Sequence, residues 1–235
     1  MSADLITASP AGEMTLIGFY KQMANELDAD SRLVLNHLMR GLAERGWLPS
    51  VSDLISGLDD RGECVHAARS AITDLTHRRL LELSDDGARI TGIMGAISVP
   101  RTAHRGHLES SVDVHTFGGV DLLSLNTILV QSVEANTLCG QCEAAIAFRM
   151  EDEVIVAISP NGAAGFQASW DGVAPLAEVS QSSPLFCSDT CLSTWTDAHP
   201  DVDGLPMSGD LLLHIGAMMA AESGNARFAM FGIQG

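Results

Sequence analysis

The sequence is poor in positive charge. Thirteen Lys and Arg stand against 30 Asp and Glu, a formal net of −17 over 235 residues. Phosphate contacts draw on an excess of Lys and Arg, so general nucleic-acid binding is disfavoured. Long apolar runs are also lacking. No stretch reaches the roughly 18 apolar residues of a membrane span, and the longest candidate, Leu211 to Ala221, is broken by His214. The segment from Met1 to Leu16 has no basic region followed by an apolar one, so it does not read as a secretory signal. Gly-x-Gly-x-x-Gly, Walker and Gly-x-Ser-x-Gly patterns are missing, which leaves nucleotide and serine-hydrolase chemistry without a foothold. The composition is not that of a disordered chain either: 46% is hydrophobic and 18% charged. A soluble, cytoplasmic protein is the expectation.

The first half reads as helical. Apolar residues recur at helical spacing over Leu16–Leu27, and a second stripe (Leu33, Leu35, Leu38, Met39) begins near Asp30 and stops at Gly46. A short helix over Asp53–Leu58 and a third longer one over Glu63–Arg79 follow. Ser84-Asp-Asp-Gly between two short β-prone runs is a hairpin signal. Helices followed by one hairpin is the order of a winged-helix domain, placed at 12–98. Residues 99–110, with Pro100, Gly106, His104 and His107, read as a linker. Beyond it, residues 111–235 change to short strands at Val112–Thr116, Ala144–Phe148, Glu153–Ile158 and Gly165–Trp170, with helices opening near Cys191 and Gly209. Ser124–Val133 fits a helix or a buried strand. Residues 1–100 carry net −5 and residues 101–235 net −12. The fold class is therefore α+β.

Five cysteines stand in this acidic chain. A reducing compartment keeps thiols free, so clustered cysteines read first as metal ligands. Cys139-Gly-Gln-Cys142 and Cys187-Ser-Asp-Thr-Cys191 form two spaced pairs. A Cys-x-x-Cys turn brings two thiolates onto one ion, and a Cys-x-x-x-Cys running into a helix can close the shell from the other side. Four sulfurs suit zinc, or another thiophilic metal. Cysteines that merely pack in the core, and a Cys139–Cys142 redox pair, are the competing readings. Cys64 stands alone. The polar run of Asp197, His199, Asp201 and Asp203 lacks the spacing of a calcium loop and reads as a solvated turn. His115 and His214 read as buried histidines, and Met218-Met219 as core.

Four segments together resemble the organomercurial (alkylmercury) lyase family, over about residues 30 to 220. The hairpin Leu83-Ser-Asp-Asp-Gly-Ala-Arg-Ile-Thr-Gly sits where that family has its wing. Leu122-Leu-Ser-Leu-Asn-Thr-Ile-Leu is similar to its Trp-Cys-Ala-Leu-Asp-Thr-Leu motif. Cys139 matches a structural cysteine, and Pro184-Leu-Phe-Cys187 matches the segment bearing the second catalytic cysteine. The resemblance implies a mixed-sheet domain over 111–235. It also implies a chemistry in which two thiolates hold the mercury of R–Hg⁺ and an Asp protonates the leaving carbon. Here the first catalytic cysteine is Leu123 and the catalytic Asp is Asn126, so only Cys187 of the triad is kept.

Three functional expectations follow. The first is a lyase-like protein that binds a metal ion, zinc first, through Cys139, Cys142, Cys187 and Cys191, with ordinary carbon–mercury protonolysis in doubt. The second is an enzyme of the same fold acting on a different small-molecule substrate, with Cys187, Asp121 and Asn126 at its site. The third is a winged-helix metal-responsive regulator, whose third long helix would present Arg69, His77, Arg78 and Arg79. The acidic charge and the family's use of this half as a packing element weigh against DNA as a partner.

Overall fold

The computed structural model describes residues 16–60, 65–213 and 217–231. Cys64 and His214 lie outside the described residues. Four helices open the chain: α1 (Leu16–Glu26), α2 (Ala29–Arg45), α3 (Val51–Asp59) and α4 (Val65–His77). Their boundaries are set by local chemistry. Asp28 caps α2 by accepting the Ser31 amide at 2.7 Å, a bond that satisfies one otherwise unpaired N–H at the helix start. Gly46 ends the same helix in the left-handed region at φ 71° and donates its N–H to the Leu42 carbonyl at 2.8 Å. Ser50 caps α3 through the Asp53 amide. The apolar stripes anticipated from the sequence face one another: Tyr20, Met23, Leu35, Leu38, Leu54, Leu58, Ile72 and Leu75 are all buried.

The hairpin of β1 (Leu81–Leu83) and β2 (Ile90–Ile93) closes over the Ser84–Gly87 turn. It does not stand apart as a wing. It forms one end of an eight-stranded antiparallel sheet ordered β1-β2-β3-β5-β4-β6-β7-β8. The further strands are β3 (Ile97–Ser98), β4 (Arg105–Leu108), β5 (Asp113–Thr116), β6 (Val133–Leu138), β7 (Ala145–Glu151) and β8 (Val154–Ser159). Strand β4 lies inside the stretch 99–110 that the sequence suggests as a linker. The correction has a simple cause: Gly106 and Leu108 are buried while Arg105 faces outward, so a four-residue alternation is masked by residues that usually mark loops. Gly106 pairs with both Val114 and Ala135, at the middle of the sheet.

A 3₁₀ turn (Val120–Ser124) and α5 (Leu125–Leu129) cross behind the sheet, so the ambiguous Ser124–Val133 run is helical in its first part. A second, three-stranded sheet is ordered β10-β9-β11, from β9 (Ala164–Ala168), β10 (Leu185–Phe186) and β11 (Gly204–Met207). The remaining helices are α6 (Leu176–Gln181), α7 (Asp189–Ala198), α8 (Gly209–Leu211) and α9 (Ala217–Ala229). Helices and antiparallel sheets, with no parallel strand pair among the described residues, make an α+β class. None of the described helices is long and apolar enough to cross a membrane.

The Ser31 amide holds the Asp28 carboxyl below the usual carboxylate range. The cap is therefore complete above the ordinary Asp value near 4 and is lost as pH falls through the lowered folded value. Asp28→Ala is expected to lower stability at neutral pH by about 1 kcal/mol. In urea titrations that deficit should shrink as the pH is brought down through the lowered Asp28 value, where the wild-type cap also becomes protonated.

Candidate metal centre

Two short segments deliver the cysteines. The first is the β6–β7 turn. The Cys139 amide donates to the Ala144 carbonyl at 2.8 Å and the Glu143 amide to the Cys139 carbonyl at 3.0 Å, so the chain folds into a knuckle with Cys142 at its tip. Glu143 takes φ 59° to close it. The second segment runs from β10 into α7. Ser188 caps α7 by accepting the Cys191 amide at 3.2 Å, which fixes Cys191 in the first helical turn. Below it Trp195 packs on Phe166 and Phe186, with ring centroids 5.0 and 5.6 Å away, and so seats the helix on the core.

The two segments are clamped together. The Gly140 amide donates to the Leu185 carbonyl at 2.9 Å. A β-carbon on Gly140 would lie 2.7 Å from Pro184 Cβ and 3.3 Å from Phe186 Cε1, so glycine is what allows this approach. The Cys187 amide in turn points at Cys139 Sγ from 3.4 Å.

The result is a cluster of four free thiols whose sulfurs all lie within 4.8 Å of one another. Cys142 and Cys187 are 3.6 Å apart, Cys187 and Cys191 3.6 Å, and Cys142 and Cys191 3.7 Å. Zn–S bonds of about 2.3 Å in a tetrahedron place sulfurs about 3.8 Å apart. The donor set thus has the size and the softness for a thiophilic cation, and the cluster could hold a metal ion. Cys139 is buried, Cys187 and Cys191 are half-buried and Cys142 is exposed.

Electrostatics divides the four sulfurs. Burial opposes ionisation of Cys139, but the amides of Cys187, Gln141 and Cys142 directed at its sulfur more than offset this and hold its pKa down to about 7. Burial and the three neighbouring sulfurs push Cys187 up to about 12. Without a cation the cluster takes one negative charge readily and resists a second. A divalent cation among the sulfurs reverses that order, because a coordinating thiol is deprotonated outright.

Asn126, Leu123 and Asp121 are not members of this cluster. Asn126 donates from Nδ2 to the Gln131 carbonyl at 2.6 Å and accepts the Glu153 amide on Oδ1 at 2.7 Å. Glu153 sits at the end of β7 opposite to Cys142, and seven strand residues at about 3.3 Å each separate the two ends by roughly 20 Å. Asn126 therefore fastens the β7–β8 turn, and it lines a cavity of about 530 Å³ with Glu109, Thr127, Asp152, Glu153 and Phe228. Leu123, at the position matched to the first catalytic cysteine, is fully buried in the core.

Asp121 belongs to a buried polar group that the sequence does not reveal. Arg227 of α9 reaches Asp121 Oδ1 at 3.3 Å, Ser124 Oγ at 2.9 Å and Tyr20 Oη at 2.9 Å. Its guanidinium carbon also lies 4.4 Å from the centre of the Tyr20 ring. Burial pushes the Asp121 carboxyl up and the Arg227 charge pulls it back. The available signal was thin: Arg227 is the one basic residue after Arg149, and Tyr20 the one tyrosine of the chain. This group joins α1, the 3₁₀ turn and α9.

Comparisons with known proteins give the family and the fold. The alkylmercury lyase family model matches residues 97–221, more than half of the chain. The chain belongs to the alkylmercury lyase family. Among solved structures, the crystal structure of the mercury-bound form of MerB2 superposes with a TM-score of 0.74 at 20% identity, covering 92% of this chain and 98% of that one. At that identity the likeness speaks for the fold. No curated protein matches the sequence.

Asp121→Asn keeps the shape but leaves the buried Arg227 without its carboxylate. It is expected to cost about 3 kcal/mol of unfolding free energy, read from the midpoint of a urea titration. A variant as stable as the wild type would show that the network is not a structural tie.

Proposed function

We propose that the chain is a divergent alkylmercury-lyase-family protein that binds zinc, or another thiophilic metal, through Cys139, Cys142, Cys187 and Cys191. The observation that carries this reading is the convergence of the four sulfurs within 4.8 Å. Cys139 and Cys142 would hold the ion from the β6–β7 knuckle, and Cys187 and Cys191 from the start of α7. The bound cation would supply structural cross-linking between the two sheets, which meet at these segments. Structural sites of this kind contribute on the order of 10 kcal/mol in small modules.

Carbon–mercury protonolysis does not fit this donor set. It calls for a thiolate at Leu123 and an acid at Asn126. Leu123 offers no donor atom. The Asn126 amide is committed to two backbone partners and stands at the other end of β7 from the sulfurs. Asp121 is packed with buried Arg227, Ser124 and Tyr20 and is not one of the groups gathered at the sulfurs.

A second reading, an enzyme of this fold with a different small-molecule substrate, draws support from the cavity beside Asn126. It is tested by screening small molecules for thermal stabilisation that Asn225→Trp, a bulky side chain at an exposed lining position of that cavity, abolishes. The regulator reading draws less support. On the basic end of α4, Arg78 pairs with Asp74 and Glu26, and Arg79 donates to the carbonyls of Val173 and Ala174. Those two cations are spent within the protein, which removes them from any phosphate contact. We read residues 12–98 as a packing element with the winged-helix order of helices then a hairpin, the hairpin being joined to the large sheet.

The metal reading is tested on tagless protein. About one zinc per chain is expected, with four thiols that react only after chelation. Because binding displaces protons from the thiols, zinc affinity should fall as pH is lowered through and below the Cys139 value of about 7. A folded, metal-free protein with four reactive thiols that takes up no added zinc contradicts it. Release of hydrocarbon from an alkylmercury compound, abolished by Cys187→Ser, contradicts the loss of protonolysis.

A further inference from the structure

The four sulfurs are not equally protected, and their inequality points to regulation of the proposed site. Cys139 is sealed and amide-bonded, and Cys191 is held in the first turn of α7. Cys142 lies at the exposed tip of a turn, outside any helix or strand. Its sulfur is already 3.6 Å from that of Cys187, which comes from a different segment. Exposed thiolates are the ones that oxidants reach, and a nearby second thiol resolves the product into a disulfide. Disulfide formation requires the sulfurs to close to about 2.05 Å. The Cys142 turn is the side of the cluster free to make that movement, since no packed helix carries it.

We infer that the cluster is an oxidant-sensitive metal switch: a hydroperoxide joins Cys142 to Cys187 and expels the ion. This rests on the metal reading above. In the first step the Cys142 thiolate attacks one peroxide oxygen, the O–O bond breaks, and the departing hydroxide is protonated by a buffer acid and leaves as water. Cys142 is then a sulfenic acid. In the second step the Cys187 thiolate attacks the Cys142 sulfur, the S–S bond forms, and the hydroxide lost from sulfur is protonated to water. The two thiolates are oxidised by two electrons and the peroxide is reduced by two. The ion keeps only Cys139 and Cys191, which take up one proton each from solvent as it leaves. A thiol reductant with added zinc reverses the sequence.

The test uses the full chain loaded with one zinc and treated with hydrogen peroxide, with zinc followed by a chromophoric chelator and disulfides mapped by mass spectrometry. The expected result is release of one zinc per chain together with a Cys142–Cys187 bond, both reversed by dithiothreitol and zinc. Cys142→His supplies a fourth ligand that cannot form a disulfide, and it should hold zinc through the same treatment. Zinc retained by the wild type, release with sulfinic acid in place of a disulfide, or a bond between any other pair overturns the inference while leaving the metal reading intact. A Cys142→His protein that loses zinc to peroxide as fast as the wild type also overturns it. Failure of the wild type to load zinc at all overturns the metal reading, and this one with it.

Discussion

Four thiols held within 4.8 Å cannot all ionise unless positive charge stands among them. That constraint organises the rest of the molecule's C-terminal half. In the absence of a cation the cluster settles for one thiolate at Cys139, prepared by three amides, while Cys187 is driven far toward the neutral form. Such an arrangement is poor as mere packing. Buried cysteine is a small hydrophobe, yet Cys142 is exposed and Cys187 and Cys191 are only half-buried. The thiols are gathered where burial gains little, by a turn and a helix cap whose backbone bonds converge on them.

The fold explains how segments 45 residues apart meet. The β6–β7 hairpin belongs to the large sheet, and β10 belongs to the small one. The Gly140-to-Leu185 bond and the close approach of Gly140 to Pro184 and Phe186 lock the two sheets at this one place. The Tyr20–Asp121–Ser124–Arg227 group ties α1 and α9 to the 3₁₀ turn. The segment that resembles the lyase motif carries Leu123 and Asn126. In this chain one is core and the other is a backbone fastener. Cys142 and Cys191 instead join Cys139 and Cys187 in the sulfur cluster.

The sequence made the helical stripes and the cysteine pairs legible because both are local. Leu35, Leu38 and Met39 mark one face within a single helix, and Cys139 and Cys142 share one turn. The hairpin at Ser84–Gly87 was legible for the same reason. What was hidden is what depends on distant pairing. Strand β4 looked like a linker because Gly106 is central only once Val114 and Ala135 flank it. Strand β6 alternates small and polar residues, Val133, Ala135 and Thr137 inward, with little β signature of its own. The sequence motif groups Asp121 and Asn126 with Cys187 because two of them stand close along the chain. The register of β7 moves Asn126 to the opposite end, and Arg227, more than a hundred residues on, claims Asp121.

The most direct test of the central claim is X-ray absorption at the zinc edge on protein purified without tags or added chelator. The account requires a single shell of four sulfurs at about 2.3 Å, with no nitrogen or oxygen ligand. A shell mixed with nitrogen or oxygen, or a folded protein that carries no zinc and gives no sulfur shell after zinc is added, would contradict it.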